Sequence, residues 1–383
     1  MSMPPQGGWQ PDRPGEPPYG RPSFGPQGPP PPGFAPPPPG FPGGQWPPQQ
    51  PPPPKGGGSL KWLLIAVAVL LVICIGVGLT LWVTRDNDGG RPSASPTEGA
   101  PSDVASAADT GPIAIITEDP TCEEYTEINN TLSRVEANGW SDVREQLGPA
   151  AEWTPAQRQI VQEVVTAMGS AAEQAAQLAD QTPHRVVREL YEQFIAYAKA
   201  YTDALPAYAP VDNNLASANV SAGSALLGIC QAVSGGSSRR SIVVGPGPKP
   251  AARVQTPSGE VPERFVQTFD ETCREWVDRE AGFVAAMKAW EQLDPSSPAS
   301  QWTPEQRAVQ DGAYALMETL ADQMDAAAAS SDNPVLSDFS VLAGRYLRAY
   351  VSAGDAYTGA DSWLAYTALR LNSLVGSACD AAS

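Results

Sequence analysis

The chain has 383 residues, of which 42 are Pro and 35 are Gly, with 42% apolar residues and a formal net charge of −18. These averages combine three unlike regions: residues 1–58 hold 23 of the prolines, a single apolar block follows, and the remainder is Ala-rich and acidic. This distribution excludes one compact globule, a polytopic transporter and a nucleic-acid binder that relies on net positive charge.

Residues 1–58 form a Pro/Gly-rich tail without apolar periodicity. Runs of proline at residues 29–32 and 51–54 fix φ and remove backbone donors, so neither helix nor sheet is expected there. The tail is predicted to be disordered, as a polyproline II coil broken by glycines. Together with its interspersed aromatic residues, this composition favours a ligand for a cytoplasmic partner that recognises proline-rich segments, or weak self-association through the aromatic rings. The simpler interpretation is a flexible spacer.

An uncharged apolar segment from Trp62 to Val83 predicts a transmembrane helix. Its 22 residues span about 33 Å as a helix, which is enough to cross the hydrocarbon core of a bilayer. The indole rings at its two ends suit the membrane interface. The segment is too long, and too far from the N-terminus, for a cleaved signal, so residues 60–84 are interpreted as an uncleaved signal-anchor. Lys55 and Lys61 on its N-terminal side favour a cytoplasmic N-terminus.

The rest of the chain is predicted to hold a stalk and two copies of one domain. Residues 85–120 are rich in Ser, Pro, Ala and Gly, lack periodicity, and are interpreted as a flexible extracytoplasmic stalk. Residues 121–233 and 263–383 contain matching motifs in the same order, at offsets of 149 to 151 residues. The clearest matches are Thr121-Cys122 with Thr272-Cys273, Trp153-Thr154-Pro155 with Trp302-Thr303-Pro304, and Tyr197 with Tyr346. Ordered matches of this kind indicate an internal duplication.

Each copy is predicted to be a bundle of four helices. The motifs at 153–157 and 302–306 are typical of a helix start, with Thr as the cap, Pro at the first position and Gln completing a capping box. Apolar residues follow at helical spacing, for example Val164, Met168, Ala171, Ala313, Met317 and Leu320. The predicted fold class is therefore all-α: two tandem duplicated four-helix-bundle-like domains, a single transmembrane helix and a disordered N-terminus.

Four cysteines predict one disulfide in each copy. Cys122 and Cys230 are 108 residues apart, and Cys273 and Cys379 are 106 apart; each pair stands at the start of the first helix and the end of the last. Those ends lie at the same pole of an up-down-up-down bundle, and the repeat selects the pairing within each copy. A disulfide that closes so long a loop stabilises the fold by about 4–5 kcal/mol. It also requires an oxidising compartment, which indicates that these domains are extracytoplasmic.

Residues 234–262 connect the copies as a basic linker. Four basic residues against Glu260 give it a net charge of +3, whereas the chain from residue 85 onwards carries −20. The linker is interpreted as an ordinary solvated connection, with contact to an acidic helix face or an anionic surface as the alternative.

The sequence contains no motif that points to catalysis, a cofactor or a metal. It has no P-loop, GxSxG, HExxH or EF-hand pattern. The single histidine, His184, lacks the partner residues that a catalytic base or a metal ligand needs, and it is interpreted as a surface residue. We therefore expect a protein that is not an enzyme and carries no cofactor.

Tyrosines form the one unusual pattern. Six of them share their spacing between the copies, namely Tyr197, Tyr201, Tyr208, Tyr346, Tyr350 and Tyr357. The first two tyrosines of each set are four residues apart, so they lie on one helix face. Two interpretations stay open: an aromatic-lined groove for a lipid, glycan or peptide, or rings that complete the bundle core.

The layout of a Pro/Gly-rich head, one signal-anchor, a stalk and a cysteine-bridged helical exterior resembles the proline-rich single-pass membrane proteins of mycobacteria and related actinobacteria. The stretch TPHRVVRELYEQFI at residues 182–195 is also similar to that group. The resemblance implies a location in the cell envelope and carries over no active site.

These features together predict a non-enzymatic protein of the cell membrane and envelope, with its N-terminus in the cytoplasm and its helical domains outside. It is expected to act as a scaffold or accessory subunit that contacts other envelope or membrane proteins, while its tail meets a cytoplasmic partner, and to bind no nucleic acid. The alternative is a lipid- or glycan-binding protein that uses the tyrosine-lined grooves of the two bundles.

Overall fold

The computed structural model of the protein describes residues 104–240, 244, 245, 247 and 261–383. All of these residues fall within one compact unit. The predicted tail and the predicted membrane span therefore lie outside the described residues. Within the described part of the chain the regular secondary structure is helical and no strand occurs, which confirms the predicted all-α class.

Eight long helices account for most of the described residues. They are α1 (Cys122–Val135), α2 (Pro155–Gln181), α3 (Arg185–Ala204), α4 (Asn213–Ser234), α5 (Glu271–Met287), α6 (Pro304–Ser330), α7 (Pro334–Ala353) and α8 (Ser362–Asp380). We call α1–α4 the first helical set and α5–α8 the second helical set. Short helical turns connect most members of each set, whereas three residues without helix join α2 to α3 and α6 to α7.

Helices α2 and α6 begin at the capping boxes that the sequence predicts. In α2 the Gln157 amide donates to Thr154 Oγ1 at 3.2 Å, and the Thr154 amide donates to Gln157 Oε1 at 2.9 Å. Thr303 and Gln306 repeat both bonds with the same distances at the start of α6. Backbone donors that have no partner inside the helix are thereby satisfied, and a proline at the first position needs none.

Both helical sets follow one packing scheme and are closed by a disulfide. Within each set successive helices pack side by side, and the last helix packs on the first. The Cys122–Cys230 disulfide joins α1 to α4 with its Cα atoms 5.1 Å apart, and Cys273–Cys379 joins α5 to α8 with its Cα atoms 5.2 Å apart. The predicted pairing is confirmed.

The two sets are held together mainly by α4 against α8, the most extensive helix pairing in the described chain. Close approach depends on small residues: a Cβ at Gly228 would stand 2.5 Å from Thr367 Oγ1. By length and composition the stretch Pro210–Ser234, which includes α4, is apolar enough to cross a bilayer, but 72% of its most apolar window is buried inside the fold. Its apolar character is that of a helix surrounded by protein.

Residues 104–120, which the sequence assigns to the end of a flexible stalk, instead pack on the helices. Val104, Ile113 and Ile116 are each 4% exposed. The backbone amide of Gly247 donates to the carbonyl of Ile113 at 2.6 Å, so part of the predicted linker is also held in place. The composition of the segment is polar on average, which hides these few apolar residues. Burial of their side chains holds the segment against the helices.

Candidate functional site

The most elaborate polar arrangement in the described chain lies where α3 packs against α7. Two irregular segments run beside this contact: residues 104–120, which precede the first helical set, and residues 261–270, which precede the second. We call them the first and second lead-in segments, and we call the whole region the junction.

Each lead-in segment reaches across the junction to the helical set that it does not precede. The hydroxyl of Tyr197, on α3, faces the backbone of Val266 in the second lead-in segment. The hydroxyl of Tyr346, on α7, faces the backbone of Ile116 in the first. Burial raises the pKa of both tyrosines, so both remain neutral. Each helical set is therefore contacted by the lead-in segment that precedes the other set in the sequence.

A buried cluster of charges forms the centre of the junction. Arg185 Nε donates to Asp338 Oδ2 at 2.8 Å, and it stands 4.0 Å from Glu189 Oε1. Arg185 also binds the first lead-in segment: its backbone amide donates to Asp109 Oδ2 at 2.8 Å, and its Nη1 donates to the Asp109 carbonyl at 2.5 Å. Arg185, Glu189 and Asp338 are at most 5% exposed. One guanidinium thus connects α3, α7 and the lead-in segment while it balances two buried carboxylates.

The second lead-in segment is held by a set of four side chains that we call the Phe265 clamp: Gln193 and Tyr197 from α3, and Asn333 and Phe339 from the start of α7. Gln193 Nε2 donates to the Glu263 carbonyl at 3.1 Å, and the Phe265 amide donates to Gln193 Oε1 at 3.0 Å. Asn333 Nδ2 donates to the Phe265 carbonyl at 2.6 Å.

The ring of Phe265 completes this contact. It lies edge-on to Tyr197 and to Phe339, with ring centroids 6.2 Å and 5.4 Å away. Edge-to-face geometry at this separation is favourable between aromatic rings. The clamp therefore holds the second lead-in segment by its backbone groups and by one aromatic side chain.

The six tyrosines of the repeated pattern are all buried, at 3% exposure or less, and they do not line an open groove. Tyr201 and Tyr208 pack with each other and with Trp140 and Trp153. The second set repeats the arrangement: Tyr350 and Tyr357 contact each other and Trp290 and Trp302, and burial raises the pKa of Tyr350 to about 12. These four tyrosines fill the space between helices, as the core interpretation predicts.

The remaining candidates are a surface depression, the single histidine and a possible metal site. A shallow depression of about 930 Å³ lies between the end of α1 and the middle of α2, and neither the predicted tyrosines nor the clamp residues line it. His184 precedes α3 at the surface, with Nε2 2.8 Å from the Glu118 carbonyl oxygen. Among the described residues no group of three or more His, Cys, Asp or Glu side chains is placed to hold a metal ion.

The surface around these features is polar and acidic. Residues 104–383 contain 36 acidic and 18 basic residues. Among the described residues the exposed large apolar side chains are Val211 and Val261. A surface of this character favours partners that present basic or polar groups.

Sequence reasoning did not single out the junction. Arg185, Glu189 and Gln193 fall inside the stretch that carries the family resemblance, yet nothing local indicates that they are buried. Phe265 follows the polar linker, and no repeated motif distinguishes it from Phe269, four residues later. Two signals were present in the sequence: charged residues within an otherwise apolar helix, and an aromatic ring shortly before a helix start. Neither signal identifies a site unless the packing of the two helical sets is known.

Comparison with known proteins identifies the family to which the folded unit belongs. A family model described as Mycobacterial ESX-1 associated protein matches residues 104–383. A protein of Mycolicibacterium smegmatis strain MKD8, described as uncharacterised, is 41% identical over 331 residues, which cover 85% of this chain and 87% of that protein. No solved structure matches the chain. The predicted likeness to mycobacterial proteins is thus confirmed for the helical part, and the chain belongs to the mycobacterial ESX-1 associated protein family.

Proposed function

We propose that this protein is a membrane-anchored, extracytoplasmic interaction subunit associated with a mycobacterial secretion system, and that it acts by binding other proteins without catalysis. The family match carries the proposal, because it covers the whole described unit and its description associates the family with ESX-1. The physical character of the unit supports the same conclusion.

A reversible binding role suits the observed surface. Obligate partners share extensive apolar interfaces, whereas accessory contacts use polar and charged surface. Two exposed large apolar side chains in the described chain are too few for an obligate apolar interface, and the acidic surface favours charge-guided contacts. The two disulfides suit an oxidising location outside the cytoplasm.

The proposed topology assigns residues 60–84 to a single signal-anchor, residues 1–58 to a cytoplasmic tail and the helical unit to the exterior. The two helical sets are treated as copies of one four-helix bundle. Equal lengths support this view: α2 and α6 have 27 residues each, and α3 and α7 have 20 each. The repeated capping boxes and disulfides support it as well.

Co-purification from cross-linked mycobacterial cells tests the proposed function. The chain, tagged at its C-terminus, should enrich membrane components of the secretion system over an unrelated single-pass protein of the same topology. A variant that carries lysine in place of the exposed Glu123, Glu124 and Glu127 of α1 tests the acidic surface. The control makes the same change at Glu271, Glu275 and Asp278 of α5. Absence of any secretion component in the wild-type sample would exclude this function.

Reporter fusions test the topology separately. Alkaline phosphatase fused after Ser383 should be active, and a green fluorescent protein fused at the same point and exported through the general secretory route should be dark. The reverse pattern would place the helical unit in the cytoplasm and would contradict the proposed anchor.

A further inference from the structure

We infer that the Phe265 clamp is a peptide-binding site, filled in the free protein by the chain's own second lead-in segment, which a partner segment with an aromatic side chain can replace. The inference rests on the clamp's own geometry and is independent of the proposed association with a secretion system.

The clamp binds mainly groups that every peptide possesses. Three of its hydrogen bonds go to backbone atoms: the carbonyl two residues before the ring, and the amide and carbonyl of the ring-bearing residue. A single amide side chain, Gln193, provides both an acceptor and a donor. Binding of this kind depends little on the sequence of the bound segment, as in other modes of recognition that rely on backbone hydrogen bonds.

The side-chain requirements of the site can be stated from the same contacts. The ring position must carry an aromatic residue, since Tyr197 and Phe339 meet it edge-on, and it cannot be proline because its amide donates to Gln193. The next position should be a small aliphatic residue, because Val266 is 6% exposed in the free protein. Glu263 and Gln267 are exposed, so their positions impose no requirement.

The location of the bound segment allows replacement. It lies at the surface without helix or strand, and Phe265 itself is only partly buried. With the segment in place Gln193 is 3% exposed, so departure of the segment would remove both backbone partners of its amide and uncover the rings that pack on Phe265. An empty clamp is therefore unfavourable, and the site should be filled either by its own segment or by a competitor.

The test uses the full-length chain in detergent and a fluorescent synthetic peptide with the sequence of residues 261–268, VPERFVQT. The wild type should bind the peptide weakly, because a tethered segment competes at a high effective concentration. The Phe265→Ala variant should bind it at least about tenfold more tightly, since its own segment has lost the ring. A control peptide with Ala in place of Phe should not bind the variant, and Gln193→Ala in the Phe265→Ala background should reduce binding about tenfold, which is typical for loss of hydrogen bonds at a buried site.

Failure of the peptide to bind a folded Phe265→Ala variant, with both disulfides intact, would overturn the inference. Hydrogen exchange in the wild type gives a second measurement, which decides the matter if that variant does not fold. The Phe265 amide should exchange faster than the amides of α3, through a local opening. Exchange of the Phe265 amide at the same rate as the slowest α3 amides would show a permanent structural contact and would also overturn the inference.

Discussion

Arg185 should contribute more to stability than any surface arginine, because it is the cation that stands between two buried carboxylates. Replacement by Met keeps the length of the side chain and removes its charge. Glu189 and Asp338 then lose their contacts with this guanidinium, and the Asp109 carbonyl loses its bond to Nη1. The backbone amide bond to Asp109 does not depend on the side chain and can persist, so the loss is concentrated on the two carboxylates.

The magnitude follows from the burial of the pair. Removing one member of a buried ion pair typically costs about 3–5 kcal/mol, because the opposite charge stays desolvated and loses that partner. A domain has about 5–15 kcal/mol of stability in all, so this loss is a large fraction of the total. An exposed pair offers a matched control: Arg307 contacts Asp355 with side chains that are 40% and 92% exposed. Arg307→Met should cost about 0–1 kcal/mol.

Guanidinium chloride unfolding of the oxidised full-length chain, followed by circular dichroism, measures both variants. A double variant, Arg185→Met with Asp338→Asn, should recover part of the loss, since it removes one of the two buried carboxylates that lost this cation. The reasoning would be refuted if Arg185→Met cost no more than Arg307→Met. It would also be refuted if the double variant were less stable than the single one, because the loss would then come from packing and not from charge.

Two further changes probe other parts of the fold. Burial raises the pKa of Glu136, in the turn after α1, to about 7, so the neutral form is favoured in the folded state and stability is lost as pH rises from about 4.5 to 7. Glu136→Gln should therefore stabilise the protein by about 1–3 kcal/mol at pH 8 and by much less at pH 4. The control, Glu163→Gln on the exposed face of α2, should show no such pH dependence. Equal effects of the two variants at pH 8 would contradict the raised pKa of Glu136. Gly228→Ala places a Cβ against Thr367 across the α4–α8 contact and should lower stability by about 1–3 kcal/mol in thermal unfolding. Gly169→Ala, in α2 with no atom within 4 Å of the new Cβ, should raise it by about 0.5–1 kcal/mol, and the same sign for both variants would exclude a tight contact.

The helices and disulfides were predictable because their signals are local or repeated. The cap at Thr154 can be recognised from four consecutive residues of the sequence. The cysteine pairing follows from the internal repeat. The junction was not predictable in this way. Arg185 and Asp338 are 153 positions apart, and their contact exists only because α4 packs on α8 and brings α3 beside α7. Helical periodicity specifies which face of a helix is buried but not which other helix covers it.

The tyrosines illustrate a second limit. Their spacing correctly places the first two tyrosines of each set on one helix face, yet spacing alone leaves a groove and a core equally open. For Tyr201 and Tyr350 the tryptophans decide between them, because Trp140 and Trp290 each donate a hydrogen bond from the indole nitrogen to one of these hydroxyls. A buried hydroxyl with a partner inside the fold is satisfied there and is not available to a ligand.

If the two helical sets are copies of one bundle, the junction is the place where they have diverged. The position equivalent to Arg185 is Pro334, and the position equivalent to Gln193 is Leu342, each 149 residues further along the chain. Proline cannot supply the cation, and leucine cannot hold a peptide backbone by hydrogen bonds. The second copy therefore lacks a clamp of its own, although it provides half of the existing one. A duplicated fold would ordinarily suggest two binding sites, but this chain should bind a single peptide. Isothermal titration of the Phe265→Ala variant should give a stoichiometry of one, and a value of two would show that recognition does not depend on Gln193.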